Sequence, residues 1–433
     1  MEKTNKPKLC PILSAKISSQ SIEKLPVIIQ MKDNNADNIN NLAYGLEGEK
    51  KKELPLIKGI ACNLTTDLIY KLAEDPNIEY ISFDSKVFAL LDVATKSIDS
   101  KYPHDQGYLG QGITIAVVDT GVAPHNDLIK PNNRIVGFKD FVNNKTTPYD
   151  DNGHGTHVSG ILAGNGYSSQ KKYQGVAPEA SILGVKVLDE SGSGNTSDII
   201  DAISWIIKTK NEYNTKIINL SLGSPANNPC SSDPLCKAVE QAVNNGICVV
   251  VAAGNSGPAS KTILSPGISP NVITVGAMND RRTSGTPKNT IPSFSSRGPT
   301  KEGLNKPDLV APGVNIMSLS NTRLDGYISL SGTSMATPLV SGSIALILQK
   351  QKNLSPKEIK NILMDSCVDL KDNQENQGSG MVNLKKIFHS SQENNLENSL
   401  EKETPFSNYP HKDNFTEKII ILLIIFLLLD RNV

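Results

Sequence analysis

Residues 113–121, Ile113-Thr-Ile-Ala-Val-Val-Asp-Thr-Gly121, decide the fold. The run is apolar and rich in β-branched residues without polar alternation, so it reads as a strand buried on both faces. Similar runs recur at Ile217–Leu222, Ile247–Ala253 and Val272–Val275. Between them lie amphipathic helical patterns: one follows Asp198 with Ile199, Ile200, Ile203, Ile206 and Ile207. Another carries Leu235, Ala238, Val239, Ala242 and Val243 and stops at Gly246. Buried strands alternating with helices predict an α/β fold, a parallel sheet wrapped by helices. Such a sheet delivers functional groups at the carboxyl ends of its strands, where Asp119 stands. On its own, a strand-end Asp followed closely by Gly reads more readily as a turn.

Three further segments carry candidate chemistry. Asp150-Asp-Asn-Gly-His-Gly-Thr-His-Val-Ser-Gly160 sets His154 between two glycines, which leave the imidazole uncrowded, at the start of an apolar helix. A general base so placed reaches both a nucleophile and an orienting carboxylate. His157, on the same helix, suggests a metal pair, but no third ligand motif accompanies it and zinc-peptidase spacing is absent. Leu330-Ser-Gly-Thr-Ser-Met-Ala-Thr-Pro338 leads into the apolar helix Leu339–Leu348 and puts Ser334 near a helix N-terminus, where amides and the macrodipole favour developing negative charge. Gly332 leaves room for a substrate carbonyl, and Pro338 is tolerated early in a helix. Ser331, Ser341 and Ser343 read as packing or capping residues. Val249-Val-Val-Ala-Ala-Gly-Asn-Ser-Gly257 ends a buried strand at Asn255, either an ordinary turn or a side-chain amide able to donate to an oxyanion.

Taken together, DTG at Asp119, HGTH at His154, AAGN at Asn255 and GTSMATP at Ser334 resemble the signature set of the subtilases, the subtilisin-like serine proteases of peptidase family S8. The order Asp, His, Ser separates that family from chymotrypsin and the α/β-hydrolases. The PYDDNGHGTH and SFSSRGPT stretches resemble its intracellular bacterial type. The resemblance implies a serine endopeptidase with Asp119, His154 and Ser334 as catalytic triad and Asn255 as oxyanion donor, needing no cofactor. It implies that Gly192-Ser193-Gly194 and Ser221-Leu222-Gly223 are strands that hold an extended peptide between them. Ala252, Ala253 and Gly254 are implied as a wall of the pocket for the residue before the cut, suited to large apolar side chains. Calcium is a possible ligand without an assigned site. Asp127 matches a ligand position of many family members, but the loop Asn165–Gln174 lacks the ligand-rich pattern, and an ordinary surface Asp is the expectation. The alternative is an inactive subtilase fold serving as a peptide-binding or scaffolding protein, which the presence of all four side chains disfavours.

Composition narrows the partners. Among 433 residues, Lys plus Arg and Asp plus Glu both number 44, so nothing electrostatic points to nucleic acid. Peptide or protein substrates are the expected partners. The opening MEKTNKPKLC is polar and lacks the apolar core of a secretory signal, which favours the cytosol. Six scattered cysteines show no zinc-like pairing, and thiols are expected rather than a Cys230–Cys236 disulfide.

Four zones follow: residues 1–91, a catalytic domain over 92–390, a polar linker over 391–418 and an apolar tail over 419–433. The first zone offers a strand (Val27, Ile28, Ile29), a helix around Asp37 to Tyr44, a strand near Leu54 to Ile60, a capped helix from Thr66 to Leu72 and the strand Ile78–Phe83. This order resembles the small α+β, ferredoxin-like propeptide of subtilases, an inhibitor and chaperone whose end, here Val87–Leu91, enters the active-site cleft. A permanent regulatory domain is the other reading. In the tail, Ile419–Leu429 would span roughly 16 Å as a helix against a hydrocarbon core of about 30 Å, so membrane association is expected to be marginal at most.

Overall fold

The computed structural model describes residues 8–9, 13–14, 17, 24–32, 49–54, 59–83, 95, 97–226, 229–231, 233–280 and 290–389. The chain divides into two compact units, Met1–Phe88 and Ala89–Val433, near the boundary expected at 91. The helix expected around Asp37 to Tyr44, the stretch Val87–Leu91 and both C-terminal zones beyond residue 390 lie outside the described residues.

In the first unit, β1 (Leu25–Met31), β2 (Glu49–Leu54), β3 (Gly59–Leu64) and β4 (Ile78–Phe83) form an antiparallel sheet in the order β2-β3-β1-β4. This is the strand order of a ferredoxin-like sheet. Helix α1 (Thr66–Glu74) buries Ile69 and Leu72 with Val27, Ile29, Ile60 and Ile81. Where one strand was expected near Leu54 to Ile60, the chain forms two. The charged run Glu49-Lys-Lys-Lys-Glu carries no apolar signal because β2 is an edge strand, stabilised by its ladder to β3 alone. Thr65 precedes α1, but its hydroxyl makes no capping bond.

The second unit is built on a parallel sheet of seven strands, β5 (Thr114–Asp119), β6 (Ile135–Asp140), β7 (Ser181–Lys186), β8 (Thr215–Leu220), β9 (Cys248–Ala252), β10 (Ile273–Met278) and β11 (Leu309–Pro312). Their order is β11-β10-β9-β8-β5-β7-β6. Successive side chains of a strand point to opposite faces, so Ile115 and Val117 enter one core while Ala116 and Val118 enter another. Helices α2 (His154–Ala163), α3 (Thr196–Thr209), α4 (Pro234–Asn244), α5 (Thr333–Lys350) and α6 (Pro356–Asp365) cover both faces. Helices α3 and α4 use the apolar stripes read from the sequence, with Ile199, Ile203, Ile206, Leu235 and Val239 buried. Helix α5 lies in the middle of the other core. Its residues from Met335 to Leu348 are all buried, so polarity varies little around it and no amphipathic face exists. Truncating one of its large side chains, such as Leu346→Ala, would cost about 2–5 kcal/mol. A two-stranded hairpin, β12 (Ile316–Leu319) and β13 (Tyr327–Leu330), runs directly into α5.

Candidate active site

Asp119 ends β5, an interior strand of the sheet beside the central β8, and is fully buried. Its Oδ1 accepts hydrogen bonds from the Thr120 amide and from His154 Nδ1, both at 2.7 Å. His154 is the first residue of α2, and its side chain is 26% exposed, so the ring meets solvent on one side and a carboxylate on the other. Gly155 makes this approach feasible: a Cβ there would collide with the Gly121 carbonyl and press on Asp119. Burial works against a charged His154, but the charge and hydrogen bond of Asp119 and the charge of Asp150 outweigh it and raise its pKa above the usual value.

The second residue of α5 is Ser334. Its Oγ donates to the Ser221 carbonyl at 3.1 Å, while Ser221 Oγ donates to the Ser334 carbonyl at 3.0 Å. Pro338 explains the second bond. It has no N–H to offer the carbonyl four residues earlier, so the Ser334 oxygen is left for Ser221. Behind this pair, Asn219 Nδ2 donates to Ser221 Oγ at 3.0 Å and Ser341 Oγ donates to Asn219 Oδ1 at 2.8 Å. Ser341 is thus a network member beneath the site. Ser343, by contrast, only returns its hydroxyl to the Leu339 carbonyl of its own helix.

Asn255 follows β9 and is exposed. Its Oδ1 accepts from both the amide and the hydroxyl of Thr333, each at 3.0 Å. With its oxygen so held, the amide nitrogen is the end left to offer hydrogen.

A cavity of about 430 Å³ joins several of these groups, with His154, Asn152, Gly192, Ser193, Gly194, Ser221, Leu222 and Gly223 along its walls and Leu188, Ile199 and Leu235 as its apolar lining. The two expected peptide-binding runs therefore share one cleft with His154. The run Ala252–Gly254 is not among the residues lining that cavity. Ala253 packs behind it against Ala226, Cys236, Ile263 and Ile268. Cys230 and Cys236 are thiols.

Asp127 is not the surface residue expected: it is fully buried. One carboxylate oxygen accepts from the Ser168 amide and the other from the Tyr327 hydroxyl, each at 2.8 Å. Arg134 donates to the carbonyl of Asp127 and to those of Ala163 (2.5 Å) and Ala180 (3.0 Å). Both oxygens of this carboxylate are thus taken by N–H and O–H donors, and a guanidinium holds the main-chain carbonyl of the same residue, a set that does not suit a calcium ion, which wants oxygens alone. Among the described residues, no group of three or more His, Cys, Asp or Glu side chains converges as a metal site.

Several participants escaped the sequence reading. Asn219 and Lys186 carry a usable signal, being polar residues inside apolar strands, and such residues must find partners when buried. Lys186 Nζ, fully buried, donates to the carbonyls of Thr120 and Leu188 and to Asp151 at 2.6–2.7 Å. Thr333 carries none, since its role arises from a contact across the fold, and Asp150 reads only as part of a polar loop although most of its donors are local.

The Peptidase_S8 model, the subtilase family, matches residues 110–382. The chain belongs to that family and is a serine endopeptidase. It is 44% identical over 391 residues to the serine protease AprX of Bacillus subtilis (strain 168), covering 84% of this chain and 88% of that protein. Against subtilisin amylosacchariticus of Bacillus subtilis subsp. amylosacchariticus it is 35% identical over 345 residues, covering 78% and 82%. Among solved structures, sphericase matches with a TM-score of 0.55 and 37% identity over 63% of this chain and 92% of that one.

Proposed function

We propose that Ser334 is the nucleophile of this endopeptidase, His154 its general base and Asp119 the carboxylate that orients and stabilises the imidazolium. The observation that carries this reading is the 2.7 Å bond from His154 Nδ1 to the buried Asp119. It commits Nδ1 as donor and leaves Nε2 as the basic nitrogen. Ser334 Oγ rests on the Ser221 carbonyl. An extended peptide that offers a backbone N–H to that carbonyl would release the hydroxyl toward His154, coupling substrate docking to nucleophile activation. Attack on the scissile carbonyl then places the oxyanion between Asn255 Nδ2 and the Ser334 amide at the start of α5. His154 protonates the leaving amine, and water completes hydrolysis of the acyl-enzyme.

The segments Gly192–Gly194 and Ser221–Gly223, expected as strands but irregular here, with Gly192 at φ 78°, hold the substrate backbone by main-chain hydrogen bonds. Specificity then rests on shape. Ala252, Ala253 and Gly254 form the wall beside the residue before the cut, and the cavity lined by Leu188, Ile199, Leu222 and Leu235 takes an apolar side chain further along the peptide. Residues 1–91 act as an inhibitory propeptide, a reading supported by the ferredoxin-like strand order of the first unit. A fluorophosphonate probe tests the central assignment. It should label the wild-type chain at Ser334 and leave Ser334→Ala unlabelled, and a folded but unlabelled wild type would indicate a peptide-binding module instead.

A further inference from the structure

The N-cap of helix α2 is Gly153, which has no side chain to receive the free amides of the first turn. Asp150, three residues earlier, takes over that task. It is 7% exposed. Its Oδ2 accepts from the amide (2.8 Å) and hydroxyl (2.6 Å) of Thr156 in the first turn of α2. Its Oδ1 accepts from the Gly153 amide (2.8 Å), the Asn152 amide (3.1 Å) and the hydroxyl of Thr120 (2.9 Å). Thr120 in turn accepts from the Gly155 amide at 2.9 Å and gives its own amide to Asp119. A single carboxylate thus fastens the residue after Asp119 to the residues on either side of His154.

We propose that Asp150 is a positioning residue of the catalytic apparatus, which locks the end of β5 to the first turn of α2 and lends its charge to the imidazolium of His154. The inference rests on His154 being the base. Two effects follow, and they differ in kind. The hydrogen bonds fix the distance between Asp119 and His154, and misplacement of about 1 Å at a reacting group costs on the order of 100-fold in rate. The negative charge, near a helix N-terminus, favours a protonated His154. Other titratable groups facing this region are Asp119 from β5, His157 within α2, Tyr149 beside the loop, and Lys186 from β7 paired with Asp151.

The test measures kcat and KM against pH on a peptide anilide, per site titrated with a fluorophosphonate, for wild type, Asp150→Asn and Thr156→Ala. Asp150→Asn should lower the plateau of kcat by about 10–100-fold at unchanged KM. It should also move the acidic limb of kcat/KM to lower pH, because the base loses a stabilising negative neighbour. Thr156→Ala removes a hydroxyl donor but keeps the charge, so the plateau should fall while the limb stays. An acidic limb of Asp150→Asn that coincides with wild type overturns the proposal, whatever the plateau. If Asp150→Asn does not fold, Thr156→Ala decides, and a kcat per titrated site equal to wild type overturns it. Failure of the wild type to titrate at Ser334 would instead strike at the triad.

Discussion

His157 donates from Nε2 to the carbonyl of Ile316 at 3.0 Å, and the same nitrogen lies 3.1 Å from the carbonyl of Ile328. The histidine sits on α2 and the two carbonyls belong to β12 and β13, so the ring joins the helix that begins with His154 to the hairpin that leads into Ser334. A donor is what this site needs. Considered from sequence as half of a metal pair, His157 is a structural group held neutral.

Burial, with repulsion from His154 added, pushes the pKa of His157 down to about 3. The unfolded chain takes up a proton here near pH 6.5, the native chain only far lower, so between those values the unfolded state binds more protons and stability rises with pH. This group should therefore cost up to about 1.4 kcal/mol per pH unit on acidification through that window. His157→Gln keeps an N–H donor but does not titrate. Urea unfolding between pH 4 and pH 7 should show a flatter acid slope for the variant, and parallel slopes would contradict the assignment.

Ser334→Ala, His154→Ala and Asp119→Ala should each reduce kcat by several orders of magnitude, and their combination should add little. The three act as a unit, as mutational series on a related subtilisin illustrate. Multiplying effects would refute the triad.

For Asn255→Ala the expected loss in kcat is about 100–1,000-fold, the magnitude found for the equivalent kind of donor in a subtilisin, and KM should barely move. An equal loss through KM alone would mean that Asn255 binds the ground state.

Ile199→Phe should fill part of the cavity behind Gly192–Gly194 and Leu222. Hydrophobic pockets discriminate by about 1–3 kcal/mol for a change of this size, so kcat/KM for long peptides should fall roughly 10–100-fold. Short anilides that do not reach the cavity provide the control, and an equal fall for both would place the substrate elsewhere.

Self-cleavage should leave a mature N-terminus between about Leu90 and Lys96, the segment inhibiting the enzyme at high effective concentration while tethered and as a separate inhibitor once released. Ser334→Ala should remain full length. N-terminal sequencing checks this, and a fully active enzyme with residues 1–91 attached would favour a regulatory domain.

The sheet and its helices were legible because burial on both faces leaves an unbroken apolar run, as in Ile113–Val118, and one-sided burial leaves a helical stripe, as in α3. The positions of Asp119, His154, Asn255 and Ser334 at element ends were legible for the same reason. Strand β2 was not, because an edge strand is held by backbone bonds that any sequence supplies. Asp127 was misjudged because burial of a carboxylate depends on donors from distant segments, here Ser168 and Tyr327. Asp150 was overlooked for another reason: four of its five donors come from the next six residues, which read in sequence as a polar loop and helix start, and only the Thr120 hydroxyl arrives from a distant segment.

The guanidinium of Arg134 bears on how the protein meets its surroundings. A bound ion obeys mass action, and its contribution to stability fades as the ion is diluted or chelated. Arg134 is joined to the chain, so the carbonyls it holds, among them that of Ala163 at the last turn of α2, keep a cation beside them whatever the ion content of the medium. The far end of the helix that starts with His154 is thereby anchored by a cation that can be neither washed out nor competed away.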